Sequence, residues 1–180
     1  MAVKLLWQVV KTLFIYDAYS QPEANQVPVE KLNRLGELLH RRNIHLVMIG
    51  PGDIRKLDHK WVTHLGIIPY AETWNYFAQV GVVIAAGTSM HDNESSKICY
   101  YLRAGLPVVS ERGFPNDHVV TQSRLGFVVN NGDIESMAEK IEDAAHAQWN
   151  RDFAVQYILD RHTWYKRVEA YARLMAKDPA

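Results

Sequence analysis

A doubly wound, Rossmann-like α/β domain is the fold this sequence predicts. Short apolar runs alternate with stretches whose apolar residues recur at three- and four-residue spacing, the pattern of strand–helix–strand units. Several runs are apolar almost without interruption, as strands are when helices cover both faces of a parallel sheet. The 180 residues suffice for a single domain with a sizeable core, and two full domains are not expected. Right-handed crossovers then give a parallel sheet of about six strands, with ligands bound outside the strands' carboxyl ends.

Taken in order, Leu13-Phe14-Ile15-Tyr16 is the first expected strand, and Asp17–Val27, rich in Ser, Pro, Asn and Gln, a loop. Pro28 suits the first position of a helix. Val29, Leu32, Leu35, Leu38 and Leu39 give that helix one apolar face as far as Arg42. Ile44–Ile49 is apolar apart from His45 and ends in Gly50-Pro51-Gly52-Asp53. Trp61–Leu65 is the next strand, closed by Gly66, and Tyr70–Val80 has helical spacing through Trp74, Phe77 and Val80. Gly81–Ala86 is a strand, and the loop Gly87–Asn93 leads into a helix running from about Glu94 to the Gly105-Leu106-Pro107 break. Pro107–Ser110 and Gly126–Val129 are strands flanking a short helix over Pro115–Arg124. After the Asn130-Asn131-Gly132 turn, Asp133 caps a helix that buries Ile134, Met137, Ala138 and Ile141. Residues 147–180 are expected as C-terminal helices with a break near Arg161–His162, and residues 1–12 as an N-terminal extension.

Composition narrows the function. Lys and Arg together number 20, as do Asp and Glu, so no global field favours nucleic acid. The single cysteine, Cys99, excludes an internal disulfide framework and a cysteine-rich zinc site, and fits a reducing, cytoplasmic setting. No apolar run approaches the roughly 18 residues of a membrane span. Met1–Lys11 lacks the long apolar region of a secretory signal. It is amphipathic, and suits packing on its own domain, on a partner or peripherally on a membrane.

The most informative stretch runs from Asn93 through Glu94, Ser95, Ser96 and Lys97 to Ser110. A helix start presents free backbone N–H groups and the positive end of the helix dipole, to which the two hydroxyls and Lys97 add donors and a cation. A phosphate-bearing ligand fits there; so does an ordinary capped helix. Gly50-Pro51-Gly52-Asp53 follows a strand as a nucleotide loop does, but Arg55 occupies the third glycine position of Gly-x-Gly-x-x-Gly, which disfavours a dinucleotide dehydrogenase. The sequence holds no Gly-x-x-x-x-Gly-Lys-Ser/Thr loop and no Gly-x-Ser-x-Gly elbow. The eight histidines form no ligand pair. His91 alone lies in the expected ligand loop, beside Asp92. Cys99 reads as a small buried residue rather than a nucleophile, and most of the aromatic residues as core.

Three segments in this order, Leu46–Gly52, Val62–Tyr70 and Glu94–Val109, followed by Leu125–Val129, Gly132-Asp133 and His162-Thr163-Trp164, resemble the C-terminal half of a GT-B glycosyltransferase. The resemblance covers roughly Leu13 to Leu174. It implies a nucleotide-sugar donor site: Ser95, Ser96 and Lys97 at the diphosphate or ribose, Ile67 and Ile68 against the base, and the loop from Thr88 through Asn93 to Glu94 facing the sugar. Gly50 and Gly52 complete the donor rim. It implies no metal cofactor, since a helix terminus and cations can neutralise the leaving diphosphate. By family frequency the donor is a UDP-sugar ahead of a GDP-sugar.

The chain also departs from the family. Retaining members carry two glutamates eight positions apart; here Asp92 and Tyr100 stand at those positions, and Tyr100 cannot accept ribose hydroxyls as a carboxylate does. Asp92 and Glu94 are the remaining catalytic candidates. The basic residues that clamp the diphosphate are not evident in Asp17–Val27, leaving Lys97 and Arg55 as stand-ins. A complete GT-B enzyme has a second lobe for the acceptor, expected here on a missing N-terminal domain or a partner chain, with Met1–Lys11 and the terminal helix around Trp164–Met175 as its natural contacts. The contrasting reading is a non-catalytic nucleotide-sugar sensor or scaffolding partner.

Overall fold

The computed structural model describes residues 29–50, 54–73, 75, 80–84 and 94–177. The expected strand Leu13–Tyr16, the Asp17–Val27 loop, Pro28 and the loop Gly87–Asn93 lie outside the described residues.

The first helix, α1 (Val29–His40), buries Leu32, Leu35, Leu38 and Leu39, the face its spacing predicts. It closes through Asn43, whose φ of 57° lets the Ile44 N–H reach back to the Leu39 carbonyl at 2.9 Å. Strands β1 (Leu46–Met48) and β2 (Val62–His64) pair in parallel, Leu46 opposite Val62. The helix expected over Tyr70–Val80 is described as α2 (Tyr70–Thr73), and residues 76–79 lie outside the described set. A second sheet, ordered β3–β4–β5, comprises β3 (Gly81–Val83), β4 (Val108–Glu111) and β5 (Gly126–Val129), again all parallel. Strand β4 extends one residue beyond the expected Ser110, carrying Glu111 into the interior.

Among the other helices, α3 (Ser96–Arg103) leads into β4 and α4 (His118–Gln122) into β5. The latter is shorter than Pro115–Arg124 because the Asp117 N–H first turns back to the Phe114 carbonyl, and Arg124 ends the segment at φ 55°. Helix α5 (Ile134–His146) is capped as expected, Asp133 accepting from the Ser136 N–H at 3.0 Å. Helices α6 (Arg151–Arg161) and α7 (Trp164–Lys177) flank the anticipated break.

Two apolar clusters show that both sheet faces are covered. Helices α1 and α5 close one, in which Leu46, Met48 and Val62 of the first sheet meet Val82, Val109 and Val129 of the second. Helices α3, α4 and α6 close the other, around Ile98, Tyr101, Leu102, Val119 and Ile158. Tyr101 fits because Gly81 leaves it room: a Cβ on Gly81 would lie 2.3 Å from the tyrosine ring. This is the doubly wound architecture the alternating pattern predicts. Five strands are described; the sixth was expected at Leu13–Tyr16.

The aromatic residues divide between core and surface. Tyr101 is buried, but Trp164, Tyr165 and Tyr171 on α7 are 66–79% exposed. Their helical spacing marks a real apolar face, and that face points away from this domain.

Candidate functional site

Two of the expected rim segments meet at the carboxyl ends of β1 and β2. Gly50 is buried there, its N–H donating to the Gly66 carbonyl at 2.9 Å and its carbonyl lying 2.8 Å from His64 Nε2. The chain then runs directly into Ile67, 65% exposed, and Ile68, packed on the cluster that contains Ile98 of α3. Ile67 therefore presents an apolar surface to solvent at the rim, where a flat base could lie. Gly52 falls outside the described residues.

The start of α3 is held from a distance. Asn116, 3% exposed, accepts from the Ser95 N–H at 2.9 Å and donates to the Ser95 carbonyl at 3.0 Å. Ser95 is the N-cap residue, yet its hydroxyl makes no capping bond. The Asn116 amide thus fixes the path of the backbone into the helix across 21 positions of sequence. Ser96 is exposed and Lys97 half-buried in the first turn, where the terminal amides and the dipole favour an anion. Asn116→Leu leaves both backbone groups of Ser95 without that partner. It is expected to lower the free energy of unfolding by about 3 kcal/mol; a urea midpoint equal to the parent's would mean that other groups take over both bonds.

Glu94, immediately before the cap, is paired with Arg167 of α7, which ties the last helix to this end of α3. That contact raises Arg167 above its ordinary range. Burial, with the Glu94 charge behind it, pushes the half-buried Cys99 thiol up, which disfavours the thiolate. Burial, assisted by His118 and Arg167, holds His162 below the usual histidine range. The Tyr100 side chain is partly exposed, at 40%, and offers no carboxylate where the retaining enzymes have one. Asp92, Asn93, Thr88 and His91 fall outside the described residues. No group of three or more His, Cys, Asp or Glu is arranged to hold a metal ion among the described residues.

Three structural residues escaped the sequence. Asn116 falls inside the short helix expected over Pro115–Arg124; nothing nearby reveals its reach to Ser95. Nothing in the sequence around Arg167 points to Glu94, 73 positions away. Glu111 had a signal, an acidic residue directly following Val108-Val109-Ser110. It is fully buried, accepting from Lys31 at 2.9 and 3.0 Å and from the Gly132 N–H at 2.8 Å.

Residues 41–166 match the family model described as glucosyltransferase 3-like, C-terminal domain. No curated protein matches the sequence. Among solved structures, a mutant of S. aureus TarM in complex with ligands that include UDP aligns with a TM-score of 0.65 at 14% identity, over 91% of this chain and 35% of that one. WaaG, a glycosyltransferase involved in lipopolysaccharide biosynthesis, aligns at 0.65 and 16%, over 89% of this chain and 46% of that one. Sucrose-phosphate synthase from Thermosynechococcus elongatus aligns at 0.63 and 15%, over 92% and 46%. At such identities the likeness is one of fold, that of one half of a GT-B enzyme. The chain spans less than half the length of each of these proteins.

Proposed function

The chain belongs to the glucosyltransferase 3-like C-terminal domain family, and we propose that it is the donor-binding half of an enzyme that moves a sugar from a nucleotide diphosphate to an acceptor held elsewhere. The observation that carries this reading is the start of α3, where Ser95 is fixed by Asn116 and the exposed Ser96 and half-buried Lys97 follow it in the first turn.

In this proposal the diphosphate lies against the amides of that turn, with the Lys97 ammonium as the cation that receives the charge left when the sugar departs. Ser95 and Ser96 orient it, and Gly50, Gly52, Ile67 and Ile68 form the side of the pocket that takes ribose and base. Thr88, Asn93 and Glu94 face the sugar. Asp92 and Glu94 are the carboxylates nearest in sequence to the reacting bond, and Glu94 is the one whose charge is balanced by Arg167. No metal is required by this scheme. The presence of UDP in the TarM complex supports UDP ahead of GDP, and the family's description makes UDP-glucose the first donor to try. The acceptor lobe belongs to another part of the polypeptide or to a separate chain.

The test is nucleotide-dependent thermal stabilisation of the chain. At a hundredfold excess over the dissociation constant, a ligand that binds only the folded state adds about 2.7 kcal/mol. Lys97→Ala is expected to weaken UDP-sugar binding roughly ten- to a hundredfold, as loss of a hydrogen bond to a charged group does. Stabilisation by none of the nucleotide sugars would overturn the donor site; unchanged affinity in Lys97→Ala would remove that residue from it.

A further inference from the structure

Arg167 is held at three points. Thr163 opens α7: its hydroxyl accepts from the Lys166 N–H at 3.3 Å and its carbonyl from the Arg167 N–H at 3.1 Å, which fixes Arg167 in the first turn. Its guanidinium lies over the Trp164 ring, 5.4 Å from the centroid. Its Nη2 donates to Glu94 Oε2. The ion pairs Lys166–Glu169 and Arg173–Glu169 stay within α7, whereas this one reaches the residue just before the Ser95 cap. Both members are partly exposed, so the pair adds little to folding.

The charge at the start of α3 gives the pair its use. A lone carboxylate beside a bound diphosphate repels it, as like charges do. His162 is close enough to feel Glu94, but burial holds it below the usual histidine range, so it carries little positive charge at neutral pH. Arg167 supplies that charge, and it engages Oε2 alone. Glu94 Oε1 makes no hydrogen bond among the described residues. We infer that Arg167 is a positioning residue for the donor's sugar: it offsets the Glu94 charge against the diphosphate and holds the carboxylate so that Oε1 accepts from a sugar hydroxyl. This assignment rests on the donor-site reading above. A carboxylate already ordered by Arg167 spares the cost of immobilising a flexible side chain when the donor binds.

Calorimetric titration of the whole chain with UDP and with UDP-glucose tests it, with GDP and GDP-mannose as the second pair. In Arg167→Met the uncompensated charge repels the diphosphate of both ligands alike, so the ratio of the two affinities isolates the sugar. That ratio should shift against the nucleotide sugar roughly three- to tenfold, the cost of ordering a freed side chain. Glu94→Ala should shift it roughly tenfold or more, as loss of a hydrogen bond to a charged group does. In the Glu94→Ala background, Arg167→Met should shift it no further. Arg167→Lys should keep most of the parent's ratio, because a single N–H contact does not need the guanidinium fork. A merely structural pair would weaken both ligands equally, and that result would overturn the proposal. So would a ratio unchanged in Arg167→Met, a further shift in the Glu94→Ala background, or a Lys variant no better than the Met variant. A parent chain that binds neither pair of ligands would instead overturn the donor site, and this assignment with it.

Discussion

Gly126→Ala is expected to cost at least about 4 kcal/mol of stability, a large share of the roughly 5–15 kcal/mol that holds a domain folded. Gly126 opens β5 opposite Val108 of β4, at a φ of 146° where a side chain is strained. A Cβ there would sit 1.9 Å from the Val108 carbonyl oxygen and 2.8 Å from both Val108 N and Val108 C. The obstacle is backbone, so it cannot swing aside as a side chain tip can. Relief requires the two strands to part where the Val108 N–H reaches the Leu125 carbonyl at 3.0 Å. Strand β4 is the middle strand of its sheet, and Val108 is wholly buried, so parting also opens the core. Gly132→Ala is the control. Gly132 also has positive φ, at 82°, but no atom lies within 4 Å of a Cβ placed on it, so only backbone strain of about 1–2 kcal/mol is expected. Urea denaturation of both variants decides the matter. Equal losses would show that conformation rather than the close strand approach dominates at Gly126.

Local order proved readable because it is written in short periods. Leu32, Leu35 and Leu39, and likewise Met137, Ala138 and Ile141, share faces by spacing alone, and those faces are buried. The Asp133 cap and the break before α7 were equally local, set by residues three or four apart. Periodicity states that α7 has an apolar face but not what the face meets: Trp164 and Tyr171 lie on the helix expected against the acceptor lobe, and they are exposed in the structure. At the candidate site, the rule that ligands gather at strand carboxyl ends correctly joined Gly50 to Gly66, now linked by a 2.9 Å hydrogen bond. It gave no hint that Asn116 would hold Ser95, or that Arg167 would hold Glu94, because those pairings depend on crossovers that bring residues 21 and 73 positions apart together.

Glu111 shows the same effect at larger energy. Its carboxylate is fully buried and joins three elements: Lys31 from α1, the end of β4 that bears it, and the Gly132 amide in the turn before α5. Lys31 is still 26% exposed by side chain and reaches the Asn131 side chain at 3.0 Å as well, so water can partly solvate the ammonium when its partner is lost. The carboxylate has no such access. The pair is therefore asymmetric: Lys31→Met leaves a buried charge short of its cation and should destabilise by about 3–5 kcal/mol. Glu111→Leu removes that charge, leaves Lys31 its contact with Asn131, and should cost less, about 2–3 kcal/mol, chiefly through the abandoned Gly132 N–H and the altered packing. The double variant should then resemble Glu111→Leu alone, giving a coupling of about 3–5 kcal/mol in a double-mutant cycle. Additive losses would mean that the two side chains stabilise the fold independently and that the contact between α1 and β4 rests on the apolar cluster around Leu35 and Val109.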